Sequence, residues 1–287
     1  MNEYVVLSDV AGDLTEELAR RIGIDLLPMG FEMDGQAYKH YSDAREMSLD
    51  EFYQRLSNGS MPKTSQINPL EYEEFFEPYL KAGKDLLYVS FTSGLSSSYQ
   101  SSCAAVGKLG EKYPDRKIYS VDSLCASIGQ GYLLIDIMKK KPEMTIEELR
   151  EYVIGTRKKV AHWFMVDDLF HLKRGGRVST ASAVFGSALN IKPVLTLDDE
   201  GRLAVHGKVR GTNKGLSYIE GRLDEEGLDT ANQRVMIGHV QNLELAQSFK
   251  KSLMDAGKIK DADIVEIGPI IGTHVGSGFI ALVFMKG

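Results

Sequence analysis

Five hydroxyl-bearing residues and a glycine crowd the stretch Phe91-Thr92-Ser93-Gly94-Leu95-Ser96-Ser97-Ser98. The apolar run Leu86-Leu87-Tyr88-Val89 leads into it as a buried strand, and a helical pattern over residues 97–112 leaves it. The first turn of a helix has unpaired N–H groups and a partial positive charge, so this junction suits a phosphate or a carboxylate. A second hydroxyl-rich turn, Lys63-Thr64-Ser65-Gln66, lies upstream. Both stretches also read as plain helix caps. Towards the C-terminus, Gly268-Pro269-Ile270-Ile271-Gly272-Thr273-His274-Val275-Gly276-Ser277-Gly278 places four glycines around one histidine. A glycine-rich loop lets backbone approach a ligand closely. His274 there is either an exposed residue of a tight turn or a group that donates to, or moves a proton for, an anion.

Two basic loops accompany these stretches. Arg174-Gly175-Gly176-Arg177 offers guanidinium forks suited to carboxylate or phosphate, and Lys208, Arg210 and Lys214 surround Gly211-Thr212. Surface salt bridges explain them equally well. Neither loop matches G-x-x-x-x-G-K-[ST], and no strand feeds G-x-G-x-x-G, so no nucleotide cofactor is expected. The six histidines include no H-x-x-x-H pair, and neither cysteine stands near a histidine at ligand spacing, so no metal is expected. An acyl ester hydrolase is the alternative from a different class. Ser93 or Ser96, an aspartate and His274 would form its triad, although neither serine sits in G-x-S-x-G.

The elements that must position these residues come from an ordinary globular chain. It has 287 residues, 43% hydrophobic and 26% charged, which is enough for one large or two medium domains. A net charge of -6 argues against nucleic acid. Cys103 and Cys125 lie in small-residue helical patterns and are expected as free, buried thiols. Met1-Asn2-Glu3-Tyr4 runs into a strand pattern without a signal core, and no apolar run approaches the ~18 residues of a membrane span. A cytoplasmic protein without membrane insertion is therefore expected.

Strand patterns at residues 4–8 and 24–28 flank a helix at 14–22, and residues 31–40 read as a hairpin excursion. Ser48 and Glu51 have capping-box spacing, prolines keep 61–69 out of a helix, and residues 70–81 resume one. Strands at 85–91 and 117–121 and a helix through 130–138 follow, then a helix from the Thr145–Glu148 box to about residue 159. This alternation predicts an open parallel sheet with helices on both faces. The second half differs. It has a strand at 162–166 and an Ala/Ser/Gly-rich helix at 179–189. Strands at 191–197 and 203–209 form a hairpin through Asp198-Asp199-Glu200-Gly201. Later helices at 213–223 and 243–256 alternate with strands at 234–240, 264–267 and 279–285. A mixed or antiparallel sheet with helices on one face is expected. The whole is α/β, divided into an N-terminal domain 1–158 and a C-terminal domain 159–287.

With these residues in view, the chain resembles the DegV family, fatty-acid-binding proteins that include the FakB subunit of bacterial fatty acid kinase. The resemblance rests on Thr64-Ser65-Gln66, on Ser93-Gly94-Leu95-Ser96 with Tyr99-Gln100-Ser101, and on Val121-Asp122-Ser123. It continues through Val166-Asp167-Asp168-Leu169, Leu172-Lys173-Arg174-Gly175-Gly176-Arg177-Val178, Ile191-Lys192-Pro193 and Lys208-Val209-Arg210. It ends in Gly272-Thr273-His274 and Gly276-Ser277-Gly278.

The resemblance implies two α/β domains with a long-chain acyl group, such as palmitate or oleate, between them. It implies that Thr64 and Ser96 hold the lipid carboxylate, with Ser93 as helper or rival and His274 beside the head group. Arg174, Arg177 and Arg210 would face a partner, an ATP-using kinase subunit related to dihydroxyacetone kinases. That partner would phosphorylate the carboxyl group, while this chain would be non-catalytic. The family commonly has proline after T-S-Q and glycine after S-G-L-S, where this chain has Ile67 and Ser97; neither change removes a hydroxyl. A tail of ~15 methylenes gains on the order of 12 kcal/mol on burial before ordering costs. The expected tunnel has room at Ala181, Ala183, Gly186 and Ala188 and aromatic walls at Phe185 or Phe164.

Overall fold

The computed structural model describes residues 3–178 and 190–287. The helix expected at 179–189, with Ala181, Ala183, Phe185, Gly186 and Ala188, lies outside the described residues.

The chain opens with β1 (Tyr4–Asp9), α1 (Glu16–Ile22) and β2 (Asp25–Leu27). An excursion follows, with β3 (Met29–Met33), β4 (Gln36–His40), α2 (Leu49–Ser57) and β5 (Lys63–Thr64). Then come α3 (Pro69–Lys81), β6 (Asp85–Ser90), α4 (Ser98–Lys112), β7 (Ile118–Asp122), α5 (Ile128–Lys140) and α6 (Ile146–Thr156). β1, β2, β6 and β7 form a four-stranded parallel sheet in the order β2-β1-β6-β7. β6 is buried at every residue, as its unbroken apolar run requires when helices cover both faces. α3 and α4 pack together on this sheet, and α6 packs on it beside α5.

The excursion becomes a separate three-stranded antiparallel sheet, β4-β3-β5. Thr64 therefore belongs to a strand of two residues, opposite Phe31 of β3, and not to a free turn. A strand that short leaves no period-2 signal in sequence.

The second half comprises β8 (Val160–Met165), α7 (Phe170–Arg174), β9 (Ile191–Leu197), β10 (Leu203–Arg210) and α8 (Thr212–Glu226). It finishes with β11 (Arg234–His239), α9 (Leu243–Asp255), β12 (Asp261–Glu266), α10 (Pro269–Val275) and β13 (Ile280–Met285). Its six strands run β10-β9-β8-β13-β11-β12, with only β11 and β12 parallel. This is the mixed sheet expected. Alternation along the strands sends Trp163, Met165, Ile237 and Leu282 to one core with residues of α8 and α9. Phe164, Met236, Ala281 and Val283 join the core of the N-terminal half. That second face meets α5.

Local signals are met unevenly. Thr145 and Glu148 close a full capping box, and so do Asn68 and Glu71 ahead of α3. Ser48 accepts from the Glu51 N–H. The glycine-rich run at 268–278 is not one loop, because residues 269–275 form α10, with His274 in its last turn. Glycine at 272 lets the helix press on Tyr53, whose hydroxyl a methyl there would strike. Cys125 is buried as expected, but Cys103 faces solvent from the outer side of α4. No helix among the described residues is long and apolar enough to cross a membrane.

Candidate functional site

The hydroxyl-rich turns, the histidine and one of the basic loops converge on a single cavity of about 580 Å³. Thr64, Ser93, Ser96, Arg177 and His274 all line it. Its apolar walls come from both halves of the chain, including Met29 and Phe91 from the first and Phe164, Ile271, Phe279 and Val283 from the second. Among the described residues, no aspartate or glutamate lines it. A cavity of this size, mostly apolar with a few convergent polar groups, falls within the ~300–1,000 Å³ usual for small-molecule sites.

The two hydroxyls come from distant elements. Thr64 ends β5, and its Oγ1 lies 2.9 Å from His274 Nε2 in α10. Burial, reinforced by the charges of Arg177, Arg174 and His171, lowers His274 to about 4, so the imidazole is neutral at physiological pH. With the proton on Nε2, the ring donates to Thr64 Oγ1 and frees the threonine hydrogen for a ligand. Nδ1 is buried and has no hydrogen-bond partner among the described residues. Gly175 packs against that nitrogen so closely that an added methyl would overlap it.

Ser96 reaches a similar state by another route. Its Oγ accepts the Ser98 N–H at 3.2 Å and lies 2.9 Å from Ser98 Oγ. Ser98 Oγ in turn accepts the Ile67 N–H at 3.4 Å. When Ser98 donates to Ser96, both acceptor positions of Ser96 are filled and its own hydrogen is left for the cavity. Proline at position 67 would have no N–H to give, so Ile67 supplies a tie between the two hydroxyl turns. Ser97 is the N-cap of α4 but makes no side-chain cap bond. Capping therefore explains one bond of Ser96 and none of Thr64.

Ser93 lines the cavity by position, and its N–H donates to Asp122 Oδ1 at 3.1 Å. The same oxygen accepts the Leu124 N–H, so Asp122 fixes the loop from behind. Thr92 donates to the Gly201 carbonyl at 3.0 Å, which seats the β9–β10 hairpin tip on this loop.

The arginines separate. Arg177 is half-buried and on the cavity wall, where its Nε donates to the Leu95 carbonyl at 3.1 Å. It thus braces the Ser93–Ser96 loop, a place more interior than a solvated rim. Arg174 is exposed beside it and donates to the Thr273 carbonyl at 3.3 Å. Arg210 is exposed at the end of β10 and does not line the cavity.

A hydrolase triad is not assembled among the described residues. His274 Nε2 pairs with a threonine, and its Nδ1 has no carboxylate to orient it.

Three residues had gone unremarked in the sequence. His162 lines the cavity with both ring nitrogens engaged, by the Val160 carbonyl at 3.0 Å and the Ala126 N–H at 3.4 Å. Burial lowers it to about 4. Asp13 is wholly enclosed; it accepts from Ser127 Oγ at 2.6 Å and from the Gly268 N–H at 2.9 Å. Burial pushes its carboxyl up to about 7. Asp9 is buried too and accepts from Tyr88, Phe91, Ala11 and Gln130, with burial again raising its pKa. Asp13 takes a left-handed φ of 50°, a conformation aspartate tolerates in turns.

Fold and cavity define an α/β protein built on three sheets, with an apolar chamber lined in part by hydroxyl groups. The family model described as "Uncharacterised protein, DegV family" matches residues 3–287, and the chain belongs to that family. A DegV domain-containing protein of Clostridium perfringens is 36% identical over 286 residues, 99% of this chain and 98% of the relative. Among solved structures, a fatty-acid-binding DegV family protein from Thermus thermophilus superposes with TM-score 0.88 at 26% identity, covering 100% of both chains. A stearic acid-binding protein from Eubacterium ventriosum gives TM-score 0.88 at 26% identity, covering 99% of this chain and 98% of its own.

Proposed function

We propose that this protein binds a long-chain fatty acid, with the acyl tail in the chamber and the carboxylate held by Thr64 and Ser96. The observation that carries the reading is a mostly apolar cavity whose convergent polar groups include the Thr64 and Ser96 hydroxyls and, among the described residues, no carboxylate. A buried carboxylate needs donors, and charge-assisted hydrogen bonds to hydroxyls supply them. Neutral His274 polarises Thr64, and Ser93 is the second serine within reach of the head group. Solved relatives that bind stearic acid or other fatty acids support the same ligand class.

In the finer form of this proposal the protein is non-catalytic and presents the carboxyl group to an ATP-using kinase subunit. Arg210, and Arg174 at the mouth, face that partner. Residues 1–158 and 159–287 act as two domains with the lipid between them.

Mass spectrometry of lipid extracted from protein purified out of a bacterial host tests the core of the reading. Bound C14–C18 fatty acid is expected, as is uptake of added palmitate by stripped protein. Protein that is consistently empty and takes up neither palmitate nor oleate would refute it. Acyl-phosphate formation from the loaded protein with kinase and ATP tests the partnership.

A further inference from the structure

Beneath the Ser93–Ser96 loop runs a buried chain of hydroxyl groups that ends on a carboxylate. Ser96 Oγ lies 2.9 Å from Ser98 Oγ. Tyr72 Oη lies 3.0 Å from Tyr88 Oη, and Tyr88 donates to Asp9 Oδ2 at 2.6 Å. Ser98 links the two pairs. Burial and the charge of Asp9 push the Tyr72 phenol up, while the Ser98 and Ser90 hydroxyls beside it pull the other way. Ser98, Tyr72, Tyr88 and Asp9 are all buried, and none of them lines the acyl chamber.

The carboxylate end fixes the direction of the chain. Asp9 Oδ2 accepts from the Tyr88 hydroxyl and the Phe91 N–H, and Oδ1 accepts from the Ala11 N–H and Gln130 Nε2. Gln130 gives its nitrogen to Asp9 and Ser8, while its own buried oxygen has no hydrogen-bond partner among the described residues. A protonated Asp9 would let that amide turn over and accept with its oxygen; an anion requires the nitrogen. Tyr88 therefore donates to Asp9, and its oxygen accepts from Tyr72. Tyr72 has then spent its hydrogen, and its oxygen can only accept. Ser90 donates to the Phe91 carbonyl at 3.0 Å, so the hydrogen left for Tyr72 is that of Ser98.

Ser98 thus has one hydrogen and two oxygens that compete for it, those of Tyr72 and Ser96. Turned to Tyr72, it leaves Ser98 Oγ to accept from Ser96, and the Ser96 hydrogen is spent inside the protein. Turned to Ser96, it frees that hydrogen for the chamber. We propose that Asp9, Tyr88 and Tyr72 are positioning residues that draw the Ser98 hydrogen away from Ser96, so that Ser96 donates to a ligand only when a carboxylate reverses Ser98. The chain is then a restraint: it holds the affinity for an acid below what the head-group hydroxyls could give, and so favours release. A fatty alcohol escapes the restraint, because its own hydroxyl can donate to Ser96. The inference rests on the fatty-acid reading of the chamber.

Titrations of lipid-stripped protein with palmitate and hexadecanol test the restraint. In Tyr72→Phe the competing oxygen is gone, and in Tyr88→Phe the Tyr72 hydrogen turns back to Ser98. Either change gives the Ser98 hydrogen to Ser96. Palmitate affinity relative to hexadecanol should rise roughly twofold to tenfold in each variant, the scale of one hydrogen bond. Damage to packing alone would weaken both ligands alike. On a Ser98→Ala background the tyrosine changes should leave the ratio where it stands, because the link is missing. Proton NMR of the wild type gives a readout that needs no tyrosine variant. The buried Tyr72 hydroxyl proton should shift when palmitate is added and stay in place with hexadecanol. An unchanged or lowered ratio in the folded tyrosine variants, the same rise on the Ser98→Ala background, or a hydroxyl signal unmoved by bound palmitate would overturn the proposal. Wild-type protein that binds neither ligand would instead refute the fatty-acid reading. In that event the hydroxyl signal of empty protein still decides the link: it should move in Ser98→Ala, and an unmoved signal would overturn it.

Discussion

Thr64→Val removes one hydroxyl and little else. Valine keeps the branched shape that suits β5 opposite Phe31, so the strand pairing survives. The wall residues Phe164, Ile271 and Phe279 belong to other elements and stay in place. What is lost is a hydrogen bond to a charged group, worth about 1.5–3 kcal/mol, so palmitate affinity should fall roughly tenfold to a hundredfold. A neutral head group forms a weaker bond of about 0.5–1.5 kcal/mol, so hexadecanol should lose roughly tenfold at most. The rank order of chain lengths should be unchanged, because methylenes are read by the apolar wall. His274 Nε2 loses its one hydrogen-bond partner among the described residues, and the cost of that orphan, about 1 kcal/mol, should appear in unfolding and be measured separately. Calorimetry on stripped, folded protein with both ligands is the assay. Wild-type palmitate affinity, or equal losses for acid and alcohol, would show that the carboxylate sits elsewhere.

Two further expectations use the supports of the site. Gly175→Ala puts a methyl onto His274 Nδ1, so it should displace the ring and weaken palmitate binding by about tenfold through loss of the polarised Thr64 bond. Unchanged affinity in the folded variant would show that His274 does not orient Thr64. Asp13→Asn tests the buried carboxyl by its pH dependence. Asp13 is raised to about 7, so the folded protein keeps a proton that the unfolded chain sheds above ~4. Its contribution to stability therefore falls as pH rises through that window, and the stability of the asparagine variant relative to wild type should improve between pH ~5 and ~8. His40, His162 and His274, each lowered to about 4, work with the opposite sign: stability is lost as pH falls from ~6.5. They are present in both proteins and cancel in the comparison. A pH-independent difference in urea unfolding would mean that Asp13 is not a protonated buried acid at pH ~5.

Much of the scaffold was legible because its signals are local. The apolar run 85–90 has to be a covered strand, and the Thr145–Glu148 box has to start a helix. Asp198-Asp199-Glu200-Gly201 has to turn between two strands. Thr64, Ser96 and His274 could be picked out by residue type, but their meeting could not be derived from spacing, since positions 64 and 274 touch only through tertiary packing. The two-residue strand β5 was illegible for the same reason: its pairing energy comes from β3, not from its own sequence. Arg177 reads as a surface residue in a glycine-flanked turn, and only the Leu95 carbonyl draws it inward. The burial of Asp9 and Asp13 was not legible because burial of a carboxylate is decided by the donors around it, here Tyr88, Gln130, Ser127 and the Gly268 N–H.

The chamber is walled jointly by the two halves of the chain, so an acyl tail placed there completes a core that neither sheet finishes alone. The occupant then behaves as a removable piece of hydrophobic interior. Stabilisation by such a piece follows its free concentration, about 2.7 kcal/mol at one hundred times Kd. The filled protein should resist proteases that clip the empty one. With the fatty-acid ligand proposed above, lifetime inside a cell is expected to follow lipid supply, the protein being cleared faster when the ligand is scarce.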